Sequence, residues 1–164
     1  MLIFHGSTER VERPEIRLTK RTLDFGYGFY TTTSETQAAQ WVRRKLKERS
    51  ASQGFVNVYE LSPLVFQECR VLSFAQPTED WVDFVLANRL QDGFTHDYDV
   101  VWGPVANDRV YASFALFEGG LLSKQALIAE LRTYRLVDQY LFHTDRALRY
   151  LHFLETKTVI DYDR

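Results

Sequence analysis

A single α+β domain is what this sequence predicts, and three observations predict it. Its 164 residues fall inside the roughly 100–200 that one domain takes. Short runs of β-branched and aromatic residues alternate with segments whose apolar residues recur at helical spacing. The two kinds of segment are mixed without the regular alternation of a βαβ wind. Hydrophobic residues make up 45% and aromatic ones 15% of the chain, enough to bury a sizeable core and too many for a disordered tail.

The elements follow in order. Leu2-Ile3-Phe4-His5 reads as a short strand that ends at Gly6-Ser7, and the mostly polar residues 8–23, punctuated by Arg13-Pro14, read as a surface excursion. In residues 24–33 two glycines one residue apart precede aromatic and β-branched residues, a tight bend entering a strand. Ser34 starts a helix, with Gln37 completing a capping-box pattern and Ala38, Ala39, Trp41, Val42 and Leu46 forming its apolar stripe. Its far side is basic: Arg43, Arg44, Lys45, Lys47 and Arg49. Residues 54–61 alternate, with Phe55, Tyr59 and Leu61 on one face and Val56 and Val58 on the other, and residues 71–74 form a further strand. Thr78-Glu79-Asp80 opens a second helix carrying Trp81, Phe84, Val85, Leu86 and Leu90, its early acids suiting the helix dipole. Residues 98–102 read as a strand before the turn-like Gly103-Pro104, and residues 110–117 as another after Asn107-Asp108. A helix over residues 123–134, a strand over 139–143, a short helix capped by Thr144 and a last strand over about 152–160 complete the chain.

Charge and cysteine content narrow the chemistry. Twenty basic residues against 22 acidic ones give a formal charge of −2, so contact with nucleic acid requires a local patch. The single cysteine, Cys69, excludes an internal disulfide and a cysteine-based zinc site within one chain. No apolar stretch approaches the ~18–20 residues that span a bilayer. The amino terminus turns polar at His5, too soon for a signal peptide. A soluble, cytoplasmic protein is expected.

Ordinary catalytic signatures are missing: there is no phosphate-binding loop ending in Gly-Lys-Ser/Thr and no Gly-x-Ser-x-Gly elbow. The four histidines, His5, His96, His143 and His152, stand far apart with no metal-binding spacing, so no metal is expected. Two segments carry more. Phe4-His5-Gly6-Ser7 ends a strand with an imidazole, a residue without a side chain and a hydroxyl, leaving backbone groups open to a ligand. Gly26-Tyr27-Gly28-Phe29-Tyr30-Thr31-Thr32 sets aromatic rings on a strand entered through glycines, a flat wall for a planar amide-bearing ring and its ribose.

This pair of segments resembles the nicotinamide-binding signature of the ADP-ribosyltransferase superfamily, in the His-Tyr branch that includes diphtheria toxin and the poly-ADP-ribose polymerases. Over nearly its full length the chain resembles a family of small bacterial proteins of that superfamily, often the toxin half of toxin–antitoxin pairs. The shared segments are His5-Gly6-Ser7, residues 24–32, residues 103–108 and residues 138–148. The resemblance implies a split, mostly antiparallel sheet with flanking helices and a dinucleotide cleft between its halves. It implies NAD as substrate, transfer of ADP-ribose to a macromolecular acceptor (protein or nucleic acid), release of nicotinamide, and a cognate antitoxin as partner.

By the same resemblance His5 holds the nicotinamide-side ribose, Gly6 offers its backbone to the nicotinamide amide, Ser7 supports the ribose or the turn, Gly28 shapes the pocket and Tyr30 stacks on the ring. The late strand of the transferases begins with a glutamate, where this chain carries Gln139. Glutamine accepts a hydrogen bond but has no charge and is no base. Three outcomes follow: Gln139 suffices for an anionic nucleophile, the charge comes from Asp108, Asp138 or Glu118, or the dinucleotide binds without chemistry. NAD glycohydrolase activity and a non-catalytic binding module are the alternatives to transfer. Arg21, whose planar fork suits a pyrophosphate, also reads as a solvated surface residue, and Asn107-Asp108 as a plain turn.

Overall fold

Seven strands build one sheet in the computed structural model, which describes residues 1–18, 23–105, 108–133 and 136–161, with backbone alone for Asp108 and Arg109. The strands are β1 (Leu2–Ser7), β2 (Phe29–Thr32), β3 (Gln53–Leu61), β4 (Val71–Ser73), β5 (Val100–Pro104), β6 (Asp138–Phe142) and β7 (Leu151–Ile160). They lie in the order β4-β5-β6-β2-β1-β3-β7. Every neighbouring pair is antiparallel except β4 and β5, which run parallel.

The pairing is uneven. β1 pairs with β3 from Leu2↔Glu60 to Ser7↔Phe55, and all of β2 pairs with β6. Between β1 and β2 a single register pair, Phe4↔Thr32, is made. The result is one seven-stranded, mostly antiparallel sheet in an α+β fold, and the single pair at the β1–β2 junction divides it into two half-sheets, β4-β5-β6-β2 and β1-β3-β7.

Alternation sends successive residues to opposite faces. Val56 and Val58 of β3 meet Phe4 and, from helix α1 (Glu35–Arg49), Ala38, Val42 and Leu46. Tyr59 and Leu61 turn the other way, to Ile3, Phe29, Phe142, Leu148 and Leu151. On the second half-sheet Val101 and Leu141 pack under α3 (Glu79–Leu90), α4 (Asp108–Glu118) and α5 (Lys124–Leu131) through Trp81, Val85, Phe114, Leu127 and Leu131. The helices α1 and α3–α5 thus cover one face, each set on its own half-sheet. Two short helices, α2 (Val65–Glu68) and α6 (Asp145–Leu148), lie with the other cluster.

The caps act as the residue types dictate. Ser34 accepts a hydrogen bond from the Gln37 amide, Ser123 from Ala126 and Thr144 from Ala147. Trp41, assigned to the apolar stripe of α1, is instead 41% exposed, with Lys45 over its ring. Residues 110–117 are not a strand. Their dense β-branched and aromatic composition hides a helical period, and the buried or half-buried positions are Val110, Ser113, Phe114 and Phe117. Residues 8–18 are not only a surface excursion either: Val11 and Ile16 pack onto the Phe29–Tyr59–Phe142 cluster. No helix among the described residues is long and apolar enough to cross a membrane.

Gly6 is dictated by α1. A Cβ there would stand 2.5 Å from the Ala38 carbonyl oxygen and 2.9 Å from a Val42 methyl, and the obstructing oxygen is helix backbone. Gly6→Ala is expected to lower unfolding free energy by about 1–3 kcal/mol, the cost of forcing an extra carbon into a packed interface, measured as a urea midpoint shift.

Candidate functional site

The gap between the half-sheets is bridged by a side chain. His5 faces away from α1 and stacks on Phe29, ring centroids 4.1 Å apart. Its Nδ1 lies 2.6 Å from the Tyr30 carbonyl oxygen. A carbonyl only accepts, so Nδ1 carries the proton, and a neutral ring then presents Nε2 as an acceptor. Burial holds the imidazole neutral by lowering its pKa to about 4; the Tyr30 bond opposes that shift and the Arg17 charge adds to it.

Fully buried Asn57 fixes the surroundings of His5. It takes the Val11 amide at 3.0 Å and the Thr156 hydroxyl at 3.0 Å, and donates to the Glu9 and His5 carbonyls at 3.2 and 3.4 Å. The Tyr59 hydroxyl donates to the Val11 carbonyl, and Ser7 Oγ accepts from the Glu9 amide at 3.1 Å. The segment after β1 is thereby drawn across the face that carries His5. Asn57 was not among the expected site residues. Its signal was a polar residue at an inward position between Phe55 and Tyr59.

Tyr30 points to the opposite face, against the cluster of Phe25, Val101 and Leu141. Its hydroxyl accepts from the Phe25 amide at 3.0 Å and donates to the Gly26 carbonyl at 2.6 Å. Burial raises its pKa well above the usual tyrosine value, so it stays a phenol. Two histidines complete the hold on this loop. His96 Nε2 donates to the Phe25 carbonyl at 2.8 Å while its Nδ1 takes the Tyr98 amide at 3.2 Å; His143 Nδ1 donates to the Tyr27 carbonyl at 2.5 Å. Their rings stand 4.1 Å apart, and burial, assisted by the nearby His143, lowers the His96 pKa. Three consecutive carbonyls, those of Phe25, Gly26 and Tyr27, therefore each receive a side-chain donor. Gly28 closes the loop at φ +152°, where a Cβ would overlap the Phe142 carbonyl and the Leu141 side chain. Sequence reading left His96 without a role and gave the pattern around His143 to the Thr144 cap.

Gln139 lies in the row Phe4–Thr32–Gln139–Gly103 across the sheet. Alternation places it on the face of Tyr30 and Leu141. Its Nε2 is buried and has no hydrogen-bond partner among the described residues. A cavity of about 360 Å³, lined in part by Pro104, Arg132 and Asp138, opens at this end of β6. A larger one of about 550 Å³ lies along residues 72–76 beside Phe84. Neither includes His5 or Tyr30 in its lining.

His5, Tyr30 and Gln139 therefore come from neighbouring strands at the hinge, with His5 on one face and the other two side chains on the opposite one. The link between them is the Tyr30 backbone. Asp108 opens α4 and Glu118 ends it; Asp138 begins β6. Arg21 lies outside the described residues, as does the side chain of Asp108. No group of three or more His, Cys, Asp or Glu residues among the described residues is placed to hold a metal ion.

A family model described as "Protein of unknown function (DUF3990)" matches residues 1–153, nearly the whole chain, and the chain belongs to that family. No curated protein and no solved structure matches it.

Two outcomes follow from this geometry. His5 titrates at about 4 when folded against 6.5 for the free side chain, so between those values the unfolded chain binds the extra proton. Its contribution to stability is complete above about pH 6.5 and lost as the pH falls to about 4. In urea titrations across that window His5→Gln is expected to remove part of the wild-type slope. Tyr30→Phe strands the Phe25 amide and the Gly26 carbonyl and is expected to cost about 1–3 kcal/mol, read from denaturant midpoints.

Proposed function

We propose that this member of the family transfers ADP-ribose from NAD to a macromolecular acceptor, releasing nicotinamide. The observation that carries the reading is the hinge itself. There β1 and β2 part after one register pair, a neutral His5 acceptor stands at the gap, and on the opposite face the Gln139 Nε2 is buried without a partner among the described residues. A buried donor without a partner costs free energy that a ligand oxygen recovers. The resemblance of His5-Gly6-Ser7 and residues 24–32 to the nicotinamide-binding signature of the ADP-ribosyltransferases supports the same reading.

In this reaction the C1′–N bond of NAD breaks, its electron pair leaves with nicotinamide, and an acceptor nucleophile forms the new bond to C1′ and gives up its proton. Positive charge develops on the ribose as the bond loosens. A neutral His5 suits that step, because it holds a ribose hydroxyl through Nε2 without placing a second positive charge beside the reacting carbon. Tyr30, whose ring lies on the opposite face, contributes through its carbonyl, which orients the His5 imidazole. Gln139, on the opposite face from His5, brings no negative charge to the sugar, so positioning rather than charge stabilisation dominates.

Incubation with NAD labelled in its ADP-ribose half, followed by separate assays of nicotinamide release and of label on macromolecules of a lysate, tests the reading. Release with a labelled acceptor is expected. Release with only free ADP-ribose would make the protein a glycohydrolase, and NAD binding without release a binding module; absence of binding overturns the dinucleotide site. His5→Ala is expected to lose NAD binding when assayed well below its own melting temperature.

A further inference from the structure

The strand β7 forms one margin of the sheet, and among the described residues it is paired on one side alone, with β3. At ten residues it is far longer than β4, the three-residue strand at the other margin. Alternate amides and carbonyls along its outer side therefore face away from the ladder. Leu154 and Ile160 stand 49% and 46% exposed on it. Between them lie two exposed charges, Glu155 and Lys157, with the half-buried Thr156 in the middle. Lys157 Nζ is 2.8 Å from Glu35 Oε1 on α1 and 3.8 Å from Glu155 Oε1, so both charges lie on the face that α1 covers.

A lysine and a bulge are devices that ordinarily blunt a sheet edge, and β7 carries both. The bulge falls between Phe153 and Glu155, and from Glu155 to Ile160 the register with β3 is unbroken. The lysine repels an incoming strand only where its ammonium meets no counter-charge, and a second copy of β7 supplies one. A two-fold axis perpendicular to the sheet sets two copies antiparallel and keeps each face continuous, so the register is defined by the residue that meets itself across the axis. Centred on Glu155 it opposes two carboxylates, and centred on Lys157 two ammonium groups; like charges directly opposite are destabilising. Centred on Thr156 it opposes the two threonines, sets Glu155 of each copy against Lys157 of the other, and leaves Leu154 facing Thr158 at both ends. Threonine pairs and opposite-charge pairs are favourable across strands. An ammonium has three donors, so Lys157 keeps Glu35 while taking the second copy's carboxylate. We infer that β7 is a homodimer edge: two copies of this chain pair antiparallel through it in the register centred on Thr156, joining two seven-stranded sheets into one. The inference does not rest on the NAD reading above.

Sedimentation velocity over a concentration series tests it on the wild type, Glu155→Lys and Lys157→Glu. Thermal melts of each variant are recorded alongside. The wild type is expected to pass from monomer to dimer as its concentration rises. Each single variant sets like charges opposite one another twice across the axis, and its dimer is expected to be about tenfold weaker or more. An equal mixture of the two variants restores opposite charges at both pairs and is expected to dimerise as the wild type does. The mixture also separates a lost interface from a lost fold, because mixing two unfolded chains restores nothing. A wild type still monomeric at about 1 mM overturns the inference. So do single variants that dimerise as tightly as the wild type, and a mixture that stays as weak as its components.

Discussion

The hydrogen bond from the His5 imidazole to the Tyr30 carbonyl is the interaction on which the rest of this structure turns. At the junction of the half-sheets the backbone supplies one register pair, Phe4↔Thr32; beyond it a side chain does the bridging. A backbone carbonyl cannot donate, which fixes the proton on Nδ1, leaves Nε2 as an acceptor and requires a neutral ring. Burial enforces that neutrality. A charged ring would carry its charge into that buried place.

The same solution recurs in the loop before β2. Where the chain leaves the ladder its polar backbone groups must find partners elsewhere, and here Tyr30, His96 and His143 supply them. His96 donates to one backbone group and accepts from another, which again requires the neutral ring. The glycines of the two motifs serve packing: Gly6 lets α1 approach β1, and Gly28 lets the loop sit on β6. Tight backbone approach and side-chain anchoring together fix the course of the chain around the junction.

Much of this was legible in the chain. The alternation over β3 named the residues of both faces correctly, and Ser34, Ser123 and Thr144 announced three helix starts through residue types that accept from a free amide. His5 and Tyr30 stood out because they flank glycines at strand boundaries. Other features were hidden for physical reasons. The period of α4 was masked by Val110, Tyr111, Phe114 and Phe117, residues that favour strands by propensity and were placed in a helix by tertiary packing. Asn57 and His96 act through partners tens of residues away, a separation that leaves no local pattern.

The sequence by itself determined local matters: the alternation over β3, the helical period of α1, the caps, and a charge and cysteine content that exclude an internal disulfide. These depend on neighbours within a turn or a strand, where geometry is set by the backbone. The tertiary structure alone decided that β1 meets β2 at one pair, that His5 and Tyr30 turn to opposite faces, and that His96 and His143 converge on the loop of residues 24–28. Those outcomes depend on contacts between distant segments, whose closure is compensated by the packing of the whole core and not by the preference of any one segment.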